Sequence, residues 1–189
     1  MTLDIELAAN LLITVSVVLA ARNSVHTWWT GMLGCALFAV VFHGARLYAE
    51  SGLQGFFIAT SAWGWYRWSR VGTRPALPVT RAGWQHTAAA ASVALLATLA
   101  YAALLRHHTD AAAPLADSAV TAFSVLAQLL LMQRRLETWP CWLAVNTLAV
   151  PLYLSRGLHV TAMLYAAYWC NAWYGWWHWH RRMQREQQA

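Results

Sequence analysis

Charged residues divide this chain into seven uncharged runs, and this division constrains the fold more than any other feature. The runs cover residues 7–21, 23–45, 51–66, 82–105, 118–133, 138–155 and 157–180. An α-helix needs roughly 20 apolar residues to cross the hydrocarbon core of a bilayer, and shorter runs can use interfacial flanks. The runs are continuous, whereas the strands of a membrane β-barrel alternate in polarity. We therefore predict an all-α integral membrane protein with seven transmembrane helices.

The composition agrees with this class and excludes several others. Of 189 residues, 59% are hydrophobic and 11% are charged, which is more apolar surface than one soluble core can bury. The three cysteines lie inside apolar runs without the spacing of a zinc site or a disulfide framework. A metal site at His107, His108 and Asp110 is less favoured than a solvated loop. With no nucleophile–base pair, phosphate-binding glycine loop or HExxH motif, we predict no enzyme, metal or cofactor.

All 13 basic residues are arginines, and they lie at the edges of the apolar runs. This placement indicates membrane topology rather than nucleic-acid binding. Seven spans put the two termini on opposite sides, and the cytoplasmic side carries the excess of basic residues. A cytoplasmic C-terminus gives 10 arginines inside (Arg22, Arg67, Arg70, Arg74, Arg81, Arg134, Arg135, Arg181, Arg182, Arg185) and 3 outside (Arg46, Arg106, Arg156). We predict an N-terminus outside and a C-terminus in the cytoplasm.

An internal repeat organises the seven helices. "AWGWYRWSR" matches "WYGWWHWHR" at an offset of 111 residues, which also pairs Thr27-Trp28 with Thr138-Trp139. "RLYAESGL" resembles "PLYLSRGL" at an offset of 105, which requires a local six-residue shift. Each half then contains three helices, and the fourth helix is a linker that makes the halves parallel. We predict a 3+1+3 parallel-repeat arrangement with a first repeat at 1–70, a linker at 71–112 and a second repeat at 113–189.

Polar and aromatic residues share one face of the third helix. Gln54, Ile58, Ser61, Trp65 and Trp68 follow one another at helical spacings. A carboxamide in hydrocarbon is costly unless it faces a cavity or a partner. Gln54, Trp65 and Trp68 are therefore candidate substrate contacts, and an interfacial tryptophan belt is the structural alternative for the two indoles.

The sixth helix carries a similar pattern in "ETWPCWLAVNTLAVPLYL". Trp139, Trp142 and Asn146 lie on one face, and two indoles beside a carboxamide suit a planar heterocycle that carries hydrogen-bonding groups. An inter-helix amide hydrogen bond beside a tryptophan belt is the alternative. Pro151 should kink this helix and free a carbonyl group.

The seventh helix adds two candidates and one contrast. Tyr168 and Asn171 share a face, and either a cavity role or a packing role would explain them. We expect Trp179, further along the helix, to be an interfacial anchor. No acidic residue lies deep in any run, so the usual carboxylate for proton or sodium coupling is missing and passive transport is favoured.

Two segments carry a family resemblance. "ARLYAESGLQGFFIATSAWGWYRWSR" and "RRLETWPCWLAVN" resemble the two signature motifs of the Pnu-type vitamin transporters, and the similarity extends over nearly the whole chain. Trp63 stands where that family usually has tyrosine. The resemblance implies a SWEET-related fold, a trimer in the bacterial inner membrane, and facilitated diffusion of an unphosphorylated vitamin that a cytosolic kinase traps. It matches Gln54, Trp65, Trp68, Trp139, Trp142 and Asn146 to candidate substrate contacts.

The identity of the vitamin stays open at this level. Nicotinamide riboside is the first expectation, whereas related transporters carry thiamine or riboflavin, which are also flat heteroaromatics with hydroxyl-bearing tails. Stacking and amide groups do not separate the three. A membrane scaffold or receptor without transport is the alternative from another class, although a scaffold has no need of polar groups facing a cavity.

Overall fold

The chain forms helices in every long segment that the structure describes. The computed structural model describes residues 2–46, 48–69, 77–109 and 113–188, so Arg70, Arg74, Asp110 and the predicted repeat boundaries at 70/71 and 112 lie outside the described residues. The helices are α1 (Thr2–Ala21), α2 (His26–Gly44), α3 (Tyr48–Ser69), α4 (Trp84–His108), α5 (Pro114–Met132), α6 (Thr138–Ser155) and α7 (His159–Gln188). The prediction of seven helices is confirmed.

Four of these helices are long and apolar enough to cross a membrane: Asp4–Ala21, His26–Gly44, Trp84–His108 and Pro114–Met132. The other three have 22, 18 and 30 residues, which is sufficient length, but they carry most of the tryptophans, the internal proline and the candidate amides. Large apolar side chains on α4 are exposed, with Val93 at 66%, Leu96 at 67% and Leu99 at 60%. Such a surface is unfavourable in water and typical of a helix that faces lipid.

The chain divides into two compact units, residues 1–78 with 181–189 and residues 79–180. Helices α1, α2 and α3 of the first unit correspond to α5, α6 and α7 at a constant offset of 111, and α4 has no counterpart. Left-handed residues follow the helix ends at Asn23 (φ 55) and Arg134 (φ 52), and again at Arg46 (φ 60) and Gly157 (φ 72). The offset therefore persists through α2 and α6, and the six-residue shift predicted from "RLYAESGL" is wrong for the backbone.

The turns after α1 and α5 share one type of helix end. The N–H of Ser24 donates to the carbonyl of Leu19 at 2.9 Å, and the N–H of Arg135 donates to the carbonyl of Leu130 at 3.0 Å. Each bond spans five residues around a left-handed residue, which is the Schellman motif. The polar residue Asn23 and the charged residue Arg134 therefore occupy the left-handed backbone positions that follow the ends of α1 and α5.

Matching side-chain hydrogen bonds tie α1 to α2 and α5 to α6. The hydroxyl of Thr27 donates to the carbonyl of Ser16 at 2.8 Å, and the hydroxyl of Thr138 donates to the carbonyl of Ala127 at 2.8 Å. Both donors and both acceptors are related by 111 residues. Because a backbone carbonyl accepts the bond, the match does not depend on the side chain at the acceptor position.

A short extended segment before α4 pairs with the turn between α5 and α6. The N–H of Thr80 donates to the carbonyl of Arg134 at 3.1 Å, and the N–H of Leu136 donates to the carbonyl of Thr80 at 3.0 Å. The guanidinium of Arg135 donates to the hydroxyl of Thr80 and to the carbonyl of Arg81, both at 3.0 Å. We call residues 79–82 and 134–137 the linker clasp, because these bonds fix the start of α4 within the second unit.

Candidate functional site

Asn146 and Trp142 form the centre of the candidate site on α6. Asn146 is 3% exposed, so its carboxamide belongs to a side chain that is almost fully buried. Trp142, one turn earlier on the same face, is half-buried. Leaving a buried amide unpaired costs about 1–3 kcal/mol, so a carboxamide at this position needs a hydrogen-bonding partner, and a ligand can supply one.

Trp139 lies on the same helix but packs within the protein. Its side chain is 2% exposed, and its ring meets that of Trp179 edge-on with centroids 5.3 Å apart. Gly175 leaves room for this ring, since a Cβ atom there would lie 2.5 Å from it. Trp179 itself is 0% exposed. The prediction that Trp179 is an interfacial anchor is therefore wrong, because its ring is the buried partner of Trp139.

The first unit contains an equivalent tryptophan pair. Trp28 and Trp68 are 1% and 3% exposed, and their rings meet edge-on at 5.0 Å. Gly64 accommodates Trp28, since a Cβ atom there would lie 2.7 Å from its ring. The predicted contacts Trp68 and Trp139 thus belong to two matching packing clusters.

The other two predicted residues of α3 have different surroundings. Trp65 is 44% exposed. Gln54 is half-buried. Ser61, which the sequence places on the same stripe, is 4% exposed. The stripe therefore divides into an inward part with Ser61 and Trp68 and an open part with Gln54 and Trp65.

Tyr168 and Asn171 are both half-buried on α7. Tyr168 stacks at an angle on Tyr165 with centroids 5.7 Å apart, and Tyr165 contacts Tyr153 of α6 at 4.9 Å. We call Tyr153, Tyr165 and Tyr168 the tyrosine cluster. Sequence reasoning missed Tyr153 and Tyr165. Comparing the two repeats could have found them, because the residues 111 positions earlier are Phe42 and Gln54.

The same comparison shows that the two units carry different side chains at the candidate site. The positions equivalent to Trp142 and Asn146 are Gly31 and Cys35. A Cβ atom at Gly31 would lie 2.9 Å from the hydroxyl oxygen of Ser16, so the first unit has no room there for an indole. The adjacent indole and carboxamide on one helix face are specific to the second unit.

Charged groups lie at the ends of the helices that carry the candidate site. Arg156 follows α6 and forms a 2.6 Å ion pair with Asp117 at the start of α5, and this hydrogen bond raises the pKa of the Arg156 guanidinium. Residues 138–155 and 157–180 contain no acidic residue, lysine or arginine. Among the described residues, no group of three metal-ligating side chains occurs. The site can offer stacking, amide and hydroxyl groups to a ligand.

Comparisons with known proteins identify a family of transporters. The family model described as Nicotinamide mononucleotide transporter matches residues 4–181. The Nicotinamide riboside transporter PnuC of Escherichia coli (strain K12) is 23% identical over 173 residues, which cover 78% of this chain and 72% of that protein. The Riboflavin/roseoflavin transporter RibM of Streptomyces davaonensis is 25% identical over 185 residues, which cover 96% of this chain and 86% of that protein. These relatives are named as transporters, not enzymes.

A solved structure supports the fold. The crystal structure of the Vitamin B3 transporter PnuC matches with a TM-score of 0.75 and 22% identity, covering 96% of this chain and 82% of that one. At this identity the likeness supports the fold alone. Together with the four membrane-length helices, it indicates a multi-pass membrane protein.

Proposed function

Because the chain belongs to the nicotinamide mononucleotide transporter family, we propose that it carries an unphosphorylated vitamin, nicotinamide riboside first, across the bacterial inner membrane. The proposed contacts are Gln54, Trp65, Trp142, Asn146, Tyr168 and Asn171, and the predicted contacts Trp68 and Trp139 act as packing for them. The observation that carries this proposal is the buried side chain of Asn146 one helical turn from the half-buried ring of Trp142.

The charge of the site favours a nucleoside over a nucleotide. A phosphate group entering a membrane-embedded site needs a cation or several donors to replace its hydration. Neither residues 138–155 nor residues 157–180 include a lysine or an arginine. The cationic ring of nicotinamide riboside can instead be stabilised by the π faces of the tryptophans.

Transport without ion coupling follows from the missing carboxylates. Proton and sodium coupling usually use an acidic residue within the membrane, and here all seven acidic residues lie outside the seven uncharged runs of the sequence. We propose a uniporter, with accumulation in the cell through phosphorylation by a cytosolic kinase.

Riboflavin is the second candidate substrate, because RibM covers more of this chain than PnuC of Escherichia coli does, at similar identity. Its flat ring and polyol tail would use the same stacking, amide and hydroxyl groups. Thiamine and a scaffold without transport remain as less favoured alternatives.

The proposed architecture is a 3+1+3 arrangement of parallel three-helix repeats, with the N-terminus outside and the C-terminus in the cytoplasm. The constant offset of 111 residues between matching helix ends, hydrogen bonds and tryptophan pairs supports the duplication. The arginine distribution supports the orientation. A trimer is proposed from the family resemblance.

Calorimetric titration of the purified protein with nicotinamide riboside, riboflavin and thiamine tests the proposal. We expect one vitamin to bind, and Asn146→Ala and Trp142→Ala to weaken its binding about tenfold or more. Asn10→Ala and Trp84→Ala are matched controls, since the amide of Asn10 donates to the carbonyl of Glu6 and Trp84 is 79% exposed on α4. Binding of no vitamin, or equal binding by the parent, Asn146→Ala and Trp142→Ala, would contradict it.

A further inference from the structure

The tyrosine cluster contains hydroxyl groups that the fold does not require. Tyr153 and Tyr168 have phenylalanine at the equivalent positions of the first unit, Phe42 and Phe57. Phe42 packs against Phe38 with ring centroids 5.5 Å apart, so a phenyl ring is sufficient for packing at that position. The extra phenolic oxygens of the second unit therefore need a different explanation.

These hydroxyl groups lie together on partly exposed side chains. The ring centroids of Tyr153 and Tyr165 are 4.9 Å apart, and those of Tyr165 and Tyr168 are 5.7 Å apart. All three side chains keep part of their surface accessible. A phenol can donate one hydrogen bond and accept others, so neighbouring phenols can bind the hydroxyl groups of a ligand.

The cluster also continues the face that carries Trp142 and Asn146. Tyr153 follows Asn146 by seven residues, two helical turns, which places it on the same side of α6 and about 10 Å further along the axis. This distance suits a ligand whose flat ring lies at Trp142 and Asn146 and whose tail extends toward Tyr153. Pro151, which lies inside the helix between them, has no N–H and leaves the carbonyl of Thr147 without its helical donor.

We propose that Tyr153 and Tyr165 form a subsite for the polyol part of the substrate, a ribosyl or ribityl group. This inference rests on the proposed function, because it assigns one part of the transported vitamin to these residues. The ring and the tail of the vitamin are thus recognised by different groups of the second unit: the indole and amide bind the ring, and the phenols bind the hydroxyl groups.

Pairs of ligands with and without the tail test this subsite. Calorimetry would compare nicotinamide riboside with nicotinamide, and riboflavin with lumichrome, for the parent, Tyr153→Phe and Tyr165→Phe. We expect each variant to bind the tailed vitamin about 5–30-fold more weakly, because a hydroxyl group of the tail loses its partner. Binding of the tailless ring should be unchanged within twofold. Tyr153→Phe keeps the phenyl ring that packs at the equivalent position of the first unit, Phe42, and Tyr165→Phe removes the hydroxyl group alone.

Tyr174→Phe is the matched control, since Tyr174 is 43% exposed on α7 and contacts Trp177 and His178 instead. A parent that binds a vitamin while Tyr153→Phe and Tyr165→Phe bind it equally well would overturn the subsite alone. Equal weakening of tailed and tailless ligands would also overturn it, by indicating a general change of the site. A parent that binds none of these ligands would overturn the proposed function and the subsite with it.

Discussion

Gly175 should be a critical packing position, and its replacement by alanine should destabilise the protein. A Cβ atom at Gly175 would lie 2.5–2.6 Å from three ring atoms of Trp139. Ordinary carbon contacts lie near 3.5–4.0 Å, so the indole has to move by about 1 Å. Trp139 has little freedom to do so, because it is 2% exposed and its ring meets Trp179 edge-on.

The magnitude follows from two opposing effects. Overpacking a well-packed core typically costs about 1–3 kcal/mol of stability. Because the Trp139 indole is rigid and held between two neighbours, we expect the overpacking cost of Gly175→Ala to be about 3 kcal/mol. Alanine is favoured over glycine inside a helix by about 1 kcal/mol. The net loss is about 2 kcal/mol, which for a chain of this size lowers the unfolding temperature by about 4–8 °C.

Thermal unfolding of the detergent-purified protein, followed by tryptophan fluorescence, provides the measurement. Gly55→Ala on α3 is the control, because no atom lies within 4 Å of a Cβ atom built there. Its helix propensity should raise the unfolding temperature by about 1–4 °C. Gly64→Ala, with a 2.7 Å contact to Trp28, should behave like Gly175→Ala. An unfolding temperature of Gly175→Ala at or above that of the parent would refute the reasoning.

Three further predictions concern the linker clasp, the topology and the transport mode. Arg135→Ala removes two hydrogen bonds to residues 80 and 81 and should lower the free energy of unfolding by about 1–2 kcal/mol. The control Arg182→Ala loses an exposed ion pair with Glu186 and should lower it by less than about 0.5 kcal/mol. Equal denaturation midpoints of the two variants would contradict this prediction. The cysteine of a His108→Cys variant should react with an impermeant maleimide on intact cells, and a reporter fused at the C-terminus should be cytoplasmic. Labelling of that cysteine only after lysis would reverse the topology. In proteoliposomes, labelled nicotinamide riboside should equilibrate without accumulating, and accumulation driven by a proton or sodium gradient would exclude uniport.

The sequence predicts the number of helices well and their ends less well. Residues 138–155 form both an uncharged run and helix α6, but α7 continues to Gln188, beyond the last uncharged residue of its run. Charged residues outside the hydrocarbon core remain good helix formers, so a charge does not by itself end a helix. The helices end instead at left-handed residues such as Asn23 and Arg134, whose backbone conformation the hydropathy pattern does not reveal.

The candidate site was predictable by residue type but not by environment. Trp139, Trp142 and Asn146 share a face in sequence, yet only Trp139 is fixed between Gly175 and Trp179. Helical periodicity gives the direction of a side chain on its own helix. It gives no information about which neighbouring helix covers that side chain. Here Gly175 on α7 leaves room for the ring of Trp139, which is buried, whereas Trp142 is half-buried.

Comparing the two repeats supplies part of the missing information. Packing requirements are the same in two units of one fold, so residues that recur at an offset of 111 are expected to serve the fold: Thr27 and Thr138, Gly64 and Gly175, Trp68 and Trp179. Recognition of an asymmetric ligand does not require the same residues in both units. Some of the residues that differ add an aromatic face, an amide or a hydroxyl group to the second unit: Trp142 for Gly31, Asn146 for Cys35 and Tyr153 for Phe42. We therefore expect Trp142 and Asn146 to contribute to affinity directly, and Trp139 to contribute by packing α6 against α7.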